Sequence, residues 1–519
     1  MKFKKKYLYF FLLTGLLLIH LSFVFLPPFL KDELIHHLSL PNLWHISKHF
    51  GPFWWFTASH YPSIIHWVYF VLPDNYLFSH LLSYFILLTT VLLLLKFYSK
   101  KQHFAYLPAI SFLAIPVIFQ VSSTAYIDLW LVFISTASLF YIEKIVNNRE
   151  KYPDILLLSL LLAISAGVKY NGWLLDFALI FTLFIYMKNI NRYYFIIISG
   201  IFIILLNLPW LIMNYNDTGN PIYPLFTNYL NLGSTNIHIY EDLVKGQLPN
   251  VFKLRELLYH ESPLMALLSP IRVFFYGQDG NPILFDGSLL PLLIIFIPFI
   301  KLSKRNKALL LITFIYFMFA IILKPVRARY YLPIIPFLLI LSFEGFENLY
   351  NKNKYTKYIS IVLLLLSFIP LFIYLPGRWS NLEMNKFISG NISSKQWKIN
   401  HITNYEAYTF INKLPKGKVF LYFVGKKGYY LNKEFMFEPF FNVTKRNFEG
   451  SWLKYSAKNE NLSIFKKYNI RYILIDTKQL AKFEQVNFSE KEIQSLRYLV
   501  GNNTQLIYKK NYIEIWEMK

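Results

Sequence analysis

Lys4–Leu38 reads KKKYLYFFLLTGLLLIHLSFVFLPPFLKDELIHHL. It is a basic cluster, an unbroken apolar run from Tyr7 to Leu26, then Pro27-Pro28 and the acidic pair Asp32-Glu33, with His36 and His37 close behind. The apolar run has the length of a membrane-spanning helix. Lysines at its start hold that end in the cytoplasm, so the acidic pair emerges on the outer face. No small-residue cleavage site follows the run, and Pro27-Pro28 leads straight into a charged loop, so it reads as a retained span and not a signal peptide. Two adjacent carboxylates at a membrane face are costly without a task or a partner. Asp32 is therefore the first candidate for the chemical centre.

The same pattern recurs along the chain. Of 519 residues 55% are hydrophobic and only 16% charged, less charge than a soluble protein carries. Apolar runs at 7–26, 76–95, 104–121, 129–142, 155–168, 171–187, 193–213, 286–300, 308–323, 332–349 and 357–375 predict a polytopic α-helical membrane domain of about 11 spans. Alternation from a cytoplasmic N-terminus places Lys96/Lys100/Lys101, Lys144/Arg149/Lys151, Lys188/Arg192, Lys301/Lys304/Arg305/Lys307 and Lys352/Lys354/Lys357 inside, as the positive-inside rule requires. Loop 27–75 and region 214–285 then lie outside. The first holds Trp44, Phe50, Trp54, Trp55 and Trp67, a density that suits helices in the headgroup plane. In the second, Gly219-Asn220-Pro221 with Pro224 interrupts any helix, and Leu264–Tyr276 is apolar but short, as an interfacial or re-entrant helix would be.

The pattern changes after residue 375, which divides a membrane domain (1–375) from a soluble one (376–519). The latter has 24 Lys+Arg against 12 Asp+Glu, half of the chain's net charge of +24. A helical run at Tyr405–Lys413 and β-rich runs at Val419–Val424, Tyr472–Ile475, Gln505–Tyr508 and Tyr512–Trp516 predict a small α/β domain on the outer face. Its basic surface suits anionic headgroups or a phosphorylated glycan, or is a lysine-biased solvated surface. Much of the remaining charge sits in loops between spans, which argues against nucleic acid as a partner. The chain has no cysteine, so disulfides, thiolate metal sites and cysteine nucleophiles are excluded. Neither a dinucleotide-binding glycine fingerprint nor a Walker lysine is present.

Further candidates fall on the outer face. Asp128, in AYIDLW at the junction of two spans, is a second carboxylate or a helix cap. Lys169, with Tyr170 in GVKYNGW, lies outside against the charge trend, to meet a phosphate or to snorkel to the interface. Arg327 and Arg329, followed by Tyr330 in RARYYLPIIP, offer planar forks for phosphate oxygens or for headgroups. Seven of twelve histidines lie between His36 and His80. His45 and His49, at i and i+4, could bind zinc or another divalent metal if a carboxylate joined them. His37, five residues after Asp32, is the better candidate for a substrate contact.

These stretches, together with KDELIHHLSLP, SHYPSIIHW, GNPIYPLF and FDGSLLPLL, resemble the GT-C superfamily of integral-membrane glycosyltransferases. The likeness is to the bacterial branch related to protein O-mannosyltransferases, lipid A aminoarabinose transferases and RgtA/B/C/D-like core transferases. It implies transfer of a sugar from a polyprenyl-phosphate donor to a hydroxyl of a glycan, lipid or protein at the outer face of the cytoplasmic membrane, with inversion. By that resemblance Asp32 is the base and Asp128 assists, while Arg329 meets the donor phosphate, with Arg327 or Lys169 in support. Glu33 beside Asp32 leaves open which of the two is the base. Metal use varies in the superfamily, so a divalent metal stays open. A carrier of lipid-linked sugars, or a non-catalytic assembly protein, are the other classes.

Overall fold

The computed structural model describes residues 2–73, 75–99, 104–187, 189–226, 256, 259–323, 327–437, 451–459 and 461–519. Lys100, Lys101, Lys188, Lys324, Pro325 and much of region 214–285 lie outside the described residues. Six described helices are long and apolar enough to cross a membrane: Tyr7–Val24, Tyr76–Tyr98, Asp128–Val146, Ile190–Thr218, Ala328–Lys352 and Lys354–Asn381. Tyr152–Val168 and Tyr170–Tyr186 are shorter apolar helices.

Burial sorts them. In the most apolar stretch of Ala328–Lys352 83% of the residues are buried inside the protein, and in that of Lys354–Asn381 only 17%. On the latter helix Tyr355, Phe372 and Ile373 are each at least 72% exposed. Side chains of that kind belong against hydrocarbon, where helices satisfy their own backbone. The chain is a membrane protein whose described helices range from the mostly buried Ala328–Lys352 and Asp128–Val146 to exposed apolar ones.

Three expected spans are not continuous helices: 357–375 breaks at Ser367-Phe368 into Lys354–Leu366 and Ile369–Asn381, and two others are interrupted earlier in the chain. Residues 104–121 form α1 (Leu107–Leu113) and α2 (Pro116–Val121), because Pro116 cannot continue a helix but suits a first turn. Residues 286–300 hold only a short helix, Leu292–Ile295, and a 3₁₀ turn, Ile297–Phe299; Pro291 and Pro298 break the run. Leu264–Tyr276 likewise splits into Pro263–Leu267 and Ser269–Arg272. It keeps Leu264, Leu267, Ile271 and Tyr276 exposed, as an interfacial element would.

The C-terminal sheet runs in the order β2-β1-β3-β5-β4. Its strands are β1 (Lys418–Tyr422), β2 (Phe435–Met436), β3 (Ile470–Asp476), β4 (Thr504–Lys510) and β5 (Ile513–Met518). β1 pairs in parallel with β2 and β3, while β5 is antiparallel to β3 and β4. All four β-rich runs read from sequence are strands, and the helix at Tyr405–Lys413 has the expected ends. The helix Ile369–Asn381 continues through position 375.

The aromatics of segment 27–75 correct the headgroup expectation. Trp44 and Trp55 are buried, and they share one apolar core with Phe420, Tyr472 and Ile515 of the sheet. Trp54 and Trp67 pack against that core, and Trp55 meets Phe437 edge-on at 4.9 Å. The indoles fasten the C-terminal domain to the segment that carries Asp32. Tyr430 adds a hydroxyl donated to the Pro28 carbonyl (2.7 Å), and the Tyr429 N–H donates to Leu34.

Candidate active site

Asp32 stands just before a single π-helical turn, Glu33–His37, between the Pro27-Pro28 break and the helix Ser39–Ser47. The turn directs neighbouring residues to different partners. Glu33 is fully buried: His80 Nε2 lies 2.6 Å from its Oε1, and the Ala125 N–H donates to the same oxygen at 2.9 Å. Asp32 keeps 30% of its side-chain surface and is ion-paired with Arg329. The sequence left open which of the two acids faces substrate space. Geometry separates them, with Glu33 knotted into the helices and Asp32 on the wall of a cleft.

Arg329 comes from the 3₁₀ turn Ala328–Ile334 that opens the mostly buried Ala328–Lys352 helix. Its side chain is 5% exposed and lies over the rings of Tyr126 (5.1 Å) and Tyr330 (5.6 Å). Nε and Nη1 have no hydrogen-bond partner among the described residues, so most of the guanidinium's donor capacity is unmet. Burial alone would raise the Asp32 carboxyl, but the Arg329 charge outweighs it and holds the group well below the usual carboxylate range. Arg327 pairs with Asp286 at 3.2 Å. The loop that supplies Asp286 is pinned by the Ala328 N–H donating to Phe285 (2.7 Å) and by the Val117 N–H donating to Ser288 (3.1 Å). Its two ends also close on each other, since a Cβ on Gly277 would come within 2.4 Å of the Gly287 carbonyl oxygen.

The cleft has a volume of about 760 Å³. Asp32, Arg327, Asp286, Gln120 and Tyr126 line it, as do Asp279, Tyr374 and Arg378. Asp279 Oδ2 accepts from Arg378 Nη1 at 2.9 Å and from the Tyr374 hydroxyl at 2.8 Å. Phe275, Leu289, Ile369 and Ile373 give the same cleft an apolar wall, with Phe275 and Ile373 largely exposed. Two charged stations and a greasy flank suit an amphiphile with an anionic head. Sequence reasoning missed Asp279, Tyr374 and Arg378; the only cues were the turn-forming QDGNP run and an arginine just past the last span.

Other candidates lie away from the cleft. Lys169 Nζ is 2.9 Å from Asp128 Oδ1 and 5.4 Å from the Tyr330 ring centroid. Asp128 is the first residue of its helix and makes no cap; Ile127 stands at the cap position. The two pair beside the arginine turn, with Asp128 buried and Lys169 partly so. Tyr170 donates its hydroxyl to the carbonyls of Ile222 (3.0 Å) and Tyr223 (2.8 Å), a structural tie. His37 is buried, and its Nδ1 sits 3.1 Å from His66 Nε2. The candidate His45/His49 pair does not share a helix face: the helix ends at Ser47, Lys48 is left-handed, and the i, i+4 register is lost. His45 Nε2 contacts the Phe70 carbonyl (3.0 Å) and His49 Nε2 that of Pro52 (3.2 Å).

No family model matches the chain, and no curated protein matches it by sequence. Its fold does match solved structures. ArnT from Cupriavidus metallidurans bound to undecaprenyl phosphate is 11% identical, with a TM-score of 0.56 over 98% of this chain and 97% of ArnT. The apo state of the same protein gives 10% identity and a TM-score of 0.57 over 99% and 98%. The apo oligosaccharyltransferase of Archaeoglobus fulgidus is 12% identical, with a TM-score of 0.54 over all of this chain and 75% of that one. The chain has the fold of the GT-C glycosyltransferases, as the motifs led one to expect.

Proposed function

We propose that this protein is a membrane glycosyltransferase that moves a sugar from a polyprenyl-phosphate donor to an acceptor hydroxyl at the outer face of the cytoplasmic membrane. The observation that carries it is that Asp32, on the wall of a cleft with an apolar flank, is paired with the buried Arg329, although 297 positions separate them in sequence. ArnT, whose fold the chain shares, is bound to undecaprenyl phosphate in one of its structures, which supports a lipid-phosphate ligand here.

In this mechanism Asp32 accepts the proton of the acceptor hydroxyl while that oxygen attacks the anomeric carbon. The bond from that carbon to the phosphate oxygen breaks, the lipid phosphate leaves with the electron pair, and the anomeric centre inverts. Arg329, with Arg327, meets the phosphate charge through a bidentate fork. A carboxylate held against a guanidinium is a poor base, so the donor phosphate has a second role: competing for Arg329, it releases Asp32 towards its ordinary basicity. The unmet Nε and Nη1 of Arg329 equip it for that exchange. Asp128–Lys169, Tyr170, Tyr330, His37 and Glu33 hold this wall in place.

The test is purified protein with a panel of radiolabelled polyprenyl-phosphate sugars and hydroxyl acceptors. Transfer with an inverted product is expected for at least one donor. Retention of configuration would remove the single-displacement mechanism, and movement of intact lipid-linked sugar across vesicles without transfer would favour a carrier.

A further inference from the structure

We propose that His36, His37 and His66 form a binding site for one divalent transition-metal ion of the zinc class, which fastens the segment carrying Asp32. One nitrogen from each ring can be chosen so that all three lie within 4.8 Å of one another. They come from two elements, the π turn Glu33–His37 and the helix Ile64–Val71. His37 Nδ1 and His66 Nε2 are 3.1 Å apart, close to the roughly 3.3 Å between two nitrogens of a tetrahedral zinc centre with bonds near 2.0 Å.

Two further features point to a ligand. His36 Nε2 is buried without a hydrogen-bond partner among the described residues, on a ring set against those of His37 (4.7 Å) and His66 (4.5 Å). An imidazole nitrogen sealed from water with nothing to bond to costs free energy that a metal would recover. The other ring nitrogen of His36 is engaged by the Ala58 backbone, the arrangement that fixes a ligand's tautomer and leaves Nε2 bare. Phe56 and Tyr61 stand edge-on to His36 at 6.0 and 5.9 Å, giving the cluster a dry aromatic wall.

The position gives the site its role. His37 meets the Tyr126 ring at 5.3 Å, and Arg329 lies over that same ring at 5.1 Å. A metal here joins the π turn to the helix behind it and stiffens the backbone four and five residues after Asp32. That positioning effect rests on the proposed function; the binding itself does not.

The experiment is a Co²⁺ titration of the full-length, chelator-treated protein in detergent, followed by displacement with Zn²⁺. Expected is one Co²⁺ per chain with the visible bands of nitrogen-ligated, low-coordinate cobalt, abolished by Zn²⁺. His66→Gln and His36→Gln should each weaken binding at least roughly 100-fold, while His45→Gln and Asp32→Asn leave it unchanged. A wild-type protein that takes up no Co²⁺ stoichiometrically overturns the site, even if the histidine variants fail to fold. So does unaltered binding in folded His66→Gln. Stoichiometric metal in a protein that transfers no sugar would leave this site standing and remove the glycosyltransferase reading.

Discussion

The cleft has two stations, each an aspartate on its lining paired with a buried arginine, Asp32 with Arg329 and Asp279 with Arg378. Arg329 is 5% exposed and Asp32 30%; Arg378 is 7% exposed and Asp279 28%. Their surroundings differ. Among the described residues Asp279 has a second partner in the Tyr374 hydroxyl and its arginine leaves one buried nitrogen unmet, whereas Asp32 has Arg329 as its one side-chain hydrogen-bond partner and that arginine leaves two. Asp32 and Arg329 also sit on backbone tied from several sides, by Tyr430 to Pro28, Glu33 to His80 and Ala328 to Phe285. A closed three-way cluster is suited to holding a ligand, and a loose pair on a rigid frame to exchanging partners during a reaction. We therefore assign chemistry to the first station and binding to the second.

Substitutions at the two stations test that division. Asp32→Asn should lose the most, roughly 100- to 10,000-fold in kcat, because it removes the base and keeps the shape. Arg329→Ala should cost roughly 100- to 1000-fold, mainly in kcat, as loss of a charge-stabilising donor does. Arg378→Gln should raise KM for the lipid substrate about tenfold with little change in kcat; an equal fall in kcat would erase the distinction between the stations. Glu33→Gln should leave the cleft's charges in place but destabilise the protein by about 1–3 kcal/mol in thermal unfolding, since it disturbs a buried hydrogen-bonded acid.

The pH profile sharpens the same point. A carboxyl depressed in the folded protein contributes stability above its ordinary range, and that contribution is lost only as pH falls through its folded value. For Asp32 that value lies well below 3.8. Free-enzyme kcat/KM should therefore show no acidic limb from Asp32 between about pH 4 and 7. A limb in that window that disappears in Asp32→Asn would show that the pair does not form in solution.

Much of this was legible in the sequence. Long apolar runs with basic ends give the helices their positions, and alternating β-branched and aromatic runs give strands β1, β3, β4 and β5. Proline decided where this failed: Pro116, Pro291 and Pro298 break runs whose hydrophobicity alone resembles spans. Tryptophan misled for a different reason. An indole that belongs in the headgroup region and one that belongs at a domain joint look the same without a partner, and the partners of Trp44 and Trp55 lie some 380 residues downstream in the sheet. At the site, Asp32 and Arg329 stood out as charges beside spans. The division of labour between Asp32 and Glu33 was invisible, because it depends on His80 and Ala125 on other elements. His66 was hidden likewise, since its partners are distant in the chain and no spacing rule links them.

The most direct measurement is single-turnover transfer by wild type and Asp32→Asn with donor occupancy matched by a binding assay. The account predicts that Asp32→Asn binds the polyprenyl-phosphate sugar at least as tightly as wild type, with Arg329 released from its partner, yet transfers it at least about 100-fold more slowly. Transfer at the wild-type rate from a fully occupied Asp32→Asn would contradict it.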